Sequence, residues 1–113
     1  MTFLGWSIIF EEKHVSGYKS EKTGDIWFVE SSKIEKLDYD NVGVNHISIR
    51  VENQSDVDST LNFLKNYHIT ALFDTPKHRP EFTSSKDETY YQIMFESPDK
   101  ILWEIVYIGP KTE

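Results

Sequence analysis

The chain has 113 residues, a formal net charge of −7 and no cysteine. That length suits one domain able to bury roughly 65% of its unfolded surface, and the missing thiols exclude disulfides, thiolate metal sites and a cysteine nucleophile. The acidic residues are spread along the chain, which disfavours nucleic acid and anionic lipid as partners. No apolar run approaches the ~18 residues of a membrane span and the N-terminus does not read as a leader, so a cytoplasmic protein is expected.

Leu4 to Glu12 alternates Trp6, Ile8 and Phe10 with Ser7, Ile9 and Glu11, which predicts a strand entered at Gly5. Val15 to Ser20 and Asp25 to Glu30 follow as a hairpin turned by Glu21-Lys22-Thr23-Gly24, giving three antiparallel strands. Ser31 to Val42 is a polar connector closed by Gly43. Val44 to Val51 alternates again, with Ile47, Ile49 and Val51 on one side and His46, Ser48 and Arg50 on the other. A helix should pack on the apolar side: Ser55 can cap it, and Val57, Leu61, Leu64 and His68 recur at helical spacing. Ile69 to Phe73 reads as a short strand and Asp74 to Glu88 as a long polar loop with two prolines.

The last stretch, Tyr90 to Tyr107, carries the chemistry. Two apolar strands flank Ser97-Pro98-Asp99-Lys100, and Glu104 stands as the single charge between Ile101 and Ile108. An ionised group in a strand buried on both faces costs several kcal/mol, about 3 or more, unless a cation, metal or strong donor compensates it. Its partner is therefore the question the sequence poses.

The order βαβββ, the histidine near the start of its first strand, and the Pro-Asp turn with a glutamate six residues after the proline resemble the vicinal oxygen chelate superfamily, the glyoxalase and bleomycin-resistance proteins. Ser97-Pro98-Asp99-Lys100 looks like the family's DPDG-type turn with Ser for the first Asp and Lys for the Gly. Val42 to Tyr107 carries the resemblance well, and Phe3-Leu4-Gly5-Trp6 is similar to the turn that ends the family's first helix. The resemblance implies an α+β fold of paired βαβββ modules forming a curved mixed sheet. Residues 1–31 would be a first module lacking its first strand and most of its first helix, 32–43 a linker, and 44–108 the second module.

The same resemblance implies His46 and Glu104 as metal ligands, with Glu104 also moving protons as the catalytic carboxylate. An imidazole and a carboxylate suit Zn, Ni, Mn or Fe, but two ligands fall short of the usual three. Glu30, His78 or a partner chain would have to complete the set, with Trp27 or Phe28 as the competing equivalents of Glu30. Without a metal, Glu104 would pair with His46 or Arg50. Arg50 could fork onto an anionic substrate, and Tyr91 and Trp27 are candidates for the wall of a small-molecule site, although aromatic core is the ordinary role of both. The loop around Pro76-Lys77-His78-Arg79-Pro80 could act as a lid or lie in solvent, and His14 and His68 have no motif around them. Two functions remain open. One is a divalent-metal-dependent lyase, isomerase or dioxygenase; the other is a metal-free small-molecule-binding protein of the bleomycin-resistance kind, or an inactive shortened member. A sheet edge left unpaired predicts a homodimer.

Overall fold

Gly5 adopts φ 83°, a backbone region open to glycine at little cost, and so ends the short 3-10 turn Thr2–Leu4 and turns the chain into its first strand. In this computed structural model, which describes residues 1–33 and 35–112, the chain divides into two compact units, Met1–Glu35 and Lys36–Glu113. Ile34, within the expected connector, lies outside the described residues.

The first unit is an antiparallel sheet of β1 (Ser7–Glu12), β2 (Val15–Ser20) and β3 (Gly24–Val29), in that order. The three expected strands are present, with β1 starting at Ser7 rather than Leu4 because Thr2–Leu4 is helical. Trp27 lies against Gly17, where a Cβ would sit 2.9 Å from the indole, and its ring is 5.6 Å from that of Phe10. A side chain at position 17 would displace that indole.

The second unit runs β4 (Ile47–Val51), α1 (Gln54–Asn66), β5 (Leu72–His78), a 3-10 turn (Pro80–Phe82), β6 (Glu88–Glu96) and β7 (Leu102–Pro110). Its four strands form a mixed sheet in the order β4-β7-β6-β5, with β4 parallel to β7 and the other pairs antiparallel. Ile49, Ile105 and Ile93 form one cross-strand row, and Ile93 and Ile105 are fully buried together with Val57 and Leu64 of α1. Each such aliphatic side chain contributes about 1.5–3 kcal/mol on burial, so this layer between helix and sheet holds the unit. The alternate parity, Ser48, Glu104 and Met94 in one row and Arg50, Val106 and Gln92 in the next, takes the other face.

In the second unit β4, α1 and β5 have boundaries that differ from the sequence expectation. β4 begins at Ile47, so His46 stands just ahead of the strand rather than within it. The helix is capped at Asn53, not Ser55, because Asp56 reaches back to accept from the Asn53 backbone N–H at 3.0 Å; His68 lies beyond the helix end with φ 57°. β5 runs on to His78, into the first third of what the prolines suggested was loop. Its pairing with β6 breaks between Leu72 and Lys77, where Phe73 and Asp74 take positive φ. The Thr75 hydroxyl stitches that break, donating to the Leu72 carbonyl at 2.6 Å and accepting from the Met94 N–H at 2.9 Å.

Candidate functional site

Strand alternation and register put Glu104 at the centre of the sheet face opposite α1. β7 is flanked by β4 and β6, so its side chain meets donors from both neighbours. The Ser48 hydroxyl, directly across on β4, donates to Oε1 at 2.6 Å. From β6 the Tyr90 hydroxyl lies 3.0 Å from each carboxyl oxygen, and the Gln92 amide nitrogen donates to Oε2. Glu104 is 2% exposed and accepts from these three side chains. Hydrogen bonds to an ionised acceptor contribute about 1.5–3 kcal/mol each. Three of them are enough to offset the several kcal/mol that an unpaired buried carboxylate would cost.

The orientation of Gln92 is itself fixed. Arg79 Nε donates to Gln92 Oε1 at 2.8 Å, and a guanidinium can only donate, so the amide nitrogen must face Glu104. Arg79 also donates its backbone N–H to the Tyr90 carbonyl at 2.7 Å, and the turn that follows sets Phe82 edge-on against Tyr90 with ring centroids 5.3 Å apart. The segment expected to be a lid or a solvated loop thus reaches the site through Arg79 and Phe82. Desolvation first, and then its bond to Glu104, pushes the Tyr90 phenol up to about 12.

His46 approaches from the start of β4. Its Nε2 is 3.8 Å from Glu104 Oε1, close enough to converge but beyond hydrogen-bonding reach. Arg50 does not pair with Glu104; its Nη2 donates to the Ile108 carbonyl at 2.8 Å, at the rim of the same face. Tyr91 points the opposite way. Its hydroxyl donates to Asp58 of α1 at 2.6 Å, its ring lies 4.4 Å from that of His78, and desolvation first, with Asp58 second, pushes its phenol up to about 12. Tyr90, not Tyr91, is the tyrosine that meets the carboxylate. Trp27 belongs to the first unit, where its indole N–H donates to Asp25 at 2.9 Å.

The donor set decides how far a metal fits. His46 Nε2 and Glu104 are an imidazole and a carboxylate of the right kind. His78, the proposed helper, shares the helix-side face with Tyr91 and bonds Thr89 Oγ1 at 2.5 Å; burial, followed by the charge of Lys111, lowers its pKa, with Asp58 opposing. Glu30 is exposed in the first unit and hydrogen-bonds His14. Among the described residues no three His, Asp or Glu side chains converge, so this set supplies two ligands where a protein centre normally uses three.

The residues that sequence reasoning missed are Ser48 and Gln92, with Arg79 behind them. A polar amide in the middle of Tyr90-Tyr91-Gln92-Ile93-Met94-Phe95 was the available signal.

A scan against protein-family models finds no match, and a search of curated proteins finds none. Solved structures do match. A glyoxalase-class protein from Bacillus halodurans is 22% identical over 94% of this chain and 77% of its own, with a TM-score of 0.75. A glyoxalase/dioxygenase from Nostoc punctiforme is 12% identical over 96% and 77%, with a TM-score of 0.71. The fosfomycin resistance protein FosX from Listeria monocytogenes, in a structure with Mn(II) and sulfate, is 17% identical over 93% and 72%, with a TM-score of 0.59. These likenesses show the fold, that of the glyoxalase/bleomycin resistance/dioxygenase proteins. Among the described residues no helix is long and apolar enough to cross a membrane.

Proposed function

We propose that this chain of glyoxalase-like fold binds a small polar organic molecule on the sheet face around Glu104, without needing a metal to hold the carboxylate. The observation that carries the reading is that Glu104 is satisfied by Ser48, Tyr90 and Gln92, so the buried acid is stable as it stands while His46 and Arg50 remain exposed beside it. A carboxylate accepts at about four positions and three donors are in place. One of those positions is left for a ligand, with His46 Nε2 3.8 Å from Oε1. Arg50 at the rim offers a guanidinium to an anionic group. The test is a screen of small polar compounds read by amide chemical shifts. Binders should move Ser48 and Arg50 and lose affinity at least tenfold in Glu104→Gln. A set of binders that leaves both residues unmoved would rule out this face.

A second reading follows from the 3.8 Å approach of His46 Nε2 to Glu104 Oε1 and from the Mn(II) in the FosX structure. His46 and Glu104 would be two ligands of a divalent centre completed from outside the described residues, and such a metal supplies Lewis-acid chemistry to lyases, isomerases and dioxygenases. Calorimetric titration with Ni, Zn, Mn and Fe separates the readings. Micromolar binding abolished by His46→Ala favours the metal centre; no binding by a folded protein favours the metal-free site.

The first unit supports a homodimer. Ile8, Ile9 and Phe10 of edge strand β1 are 47%, 46% and 39% exposed, which places apolar side chains on both faces of an edge. Sedimentation should show a dimer that dissociates in Ile8→Lys. A monomer at every concentration would reject the assembly.

A further inference from the structure

His46 is held by a short chain of hydrogen bonds whose polarity can be read from its far end. Asn45 Nδ2 donates to the Tyr39 carbonyl at 2.9 Å, and Asn45 Oδ1 lies 2.8 Å from His46 Nδ1. A backbone carbonyl only accepts, so the amide nitrogen must be the atom facing Tyr39. Flipping Asn45 would set carbonyl oxygen against carbonyl oxygen. The amide oxygen therefore faces the ring, and an amide oxygen also only accepts. His46 Nδ1 must then carry a proton.

In a neutral imidazole one nitrogen donates and the other accepts. With Nδ1 protonated, His46 Nε2 is a bare lone pair, and it stands 3.8 Å from Glu104 Oε1. Neither atom can serve the other, and together they can hold a single donor placed between them. The same logic operates on the opposite side of the carboxylate, where Arg79 fixes Gln92 so that a donor faces Oε2. One amide thus turns a donor toward Oε2, and the other turns an acceptor, through His46, toward the Oε1 side.

We propose that Asn45 is a positioning residue that sets the tautomer of His46, so that the ring presents an acceptor to the site. This deepens the reading of the Glu104 face as the ligand site and rests on it for its functional meaning, but the tautomer is measurable without any ligand.

Long-range nitrogen–proton correlation spectra of the 15N-labelled protein, recorded where imidazole is neutral and assigned by the signal that disappears in His46→Gln, read which ring nitrogen is protonated. Wild type should show the Nδ1-protonated pattern. Asn45→Ala should invert it towards the Nε2-protonated form that free histidine prefers in water. Asn45→Asp, which keeps an acceptor beside Nδ1, should retain the wild-type pattern. An Nε2-protonated ring in wild type, or an unchanged pattern in Asn45→Ala, overturns the proposal; Asn45 is exposed, and amide spectra of each variant verify that it is folded. If the tautomer follows Asn45 but no compound binds the Glu104 face, the positioning stands and the ligand-site reading falls.

Discussion

Replacing Gln92 by leucine removes the most buried of the donors to Glu104 and is the sharpest probe of what stabilises that carboxyl group. Gln92 is 4% exposed and joins Arg79 Nε to Glu104 Oε2. Leucine occupies nearly the same volume, so little cavity energy enters. The missing bond to an acidic acceptor is worth about 1.5–3 kcal/mol. Arg79 loses less, because its side chain is 22% exposed and can turn to water and to Glu81, whose carboxylate is 3.9 Å away. The expected cost is about 2 kcal/mol, or roughly 10 °C in Tm for a chain of this size, read by urea unfolding with an unchanged m value. The control is Glu104→Leu combined with Gln92→Leu. Removing both partners at once strands neither, so the double variant should lie about 1–2 kcal/mol above the sum of the single losses. Should Gln92→Leu cost under about 0.5 kcal/mol, or the two losses simply add, the account of Glu104 as an acid held by fixed neutral donors is wrong.

Three further outcomes follow from the same geometry. Tyr90 and Tyr91 are both raised from 10 to about 12, so folding favours their neutral forms; the stability this provides is complete below pH 10 and is lost as pH rises from 10 through 12. Alkaline difference spectra should show both phenols titrating late, and Tyr90→Phe should remove one of them and flatten the fall in stability. Lys100 sits at φ 67° in the turn before β7, so Lys100→Gly relieves about 1–2 kcal/mol of left-handed strain against about 0.5–1 kcal/mol of added chain entropy. The variant also gives up the ion pair between Lys100 and Glu96, which is too solvated to matter much. Tm should therefore rise or hold, and a clear fall would argue against that backbone conformation. Gly109→Ala brings a Cβ to 2.7 Å from the Tyr107 hydroxyl, which donates to the Pro110 carbonyl at 2.7 Å, and should cost about 1–3 kcal/mol in chemical denaturation.

What the sequence revealed and what it hid divide along the range of the interactions. Glu104 was legible as an anomaly because a lone charge among seven apolar residues needs only local reading. The polar parity of His46, Ser48 and Arg50 was legible for the same reason. Which of the three would touch Glu104 depends on the register of β4 against β7, two strands separated by the rest of the unit, and that register selects Ser48. The choice between Tyr90 and Tyr91 turned on a phase of one residue in β6. Gln92 carried the missing clue: an amide in an apolar strand faces the polar side, and Tyr90 shares its parity.

The hidden part of β5 has a different cause. Two prolines and positive-φ residues argue for a loop, yet the strand accommodates Pro76 because Thr75 bridges the interrupted ladder through its hydroxyl. Continuing the strand to His78 is what delivers Arg79 beside β6, where its backbone meets Tyr90 and its guanidinium meets Gln92. The irregular strand therefore matters to the site. A regular loop of the same length would not fix the Arg79 backbone to β6, and without Arg79 either end of the Gln92 amide could turn toward the acid. The polarity of the whole site, with the Gln92 amide donating to Oε2 and the His46 ring offering an acceptor on the Oε1 side, rests on two one-way groups, the Arg79 guanidinium and the Tyr39 carbonyl, neither of which touches the carboxylate itself.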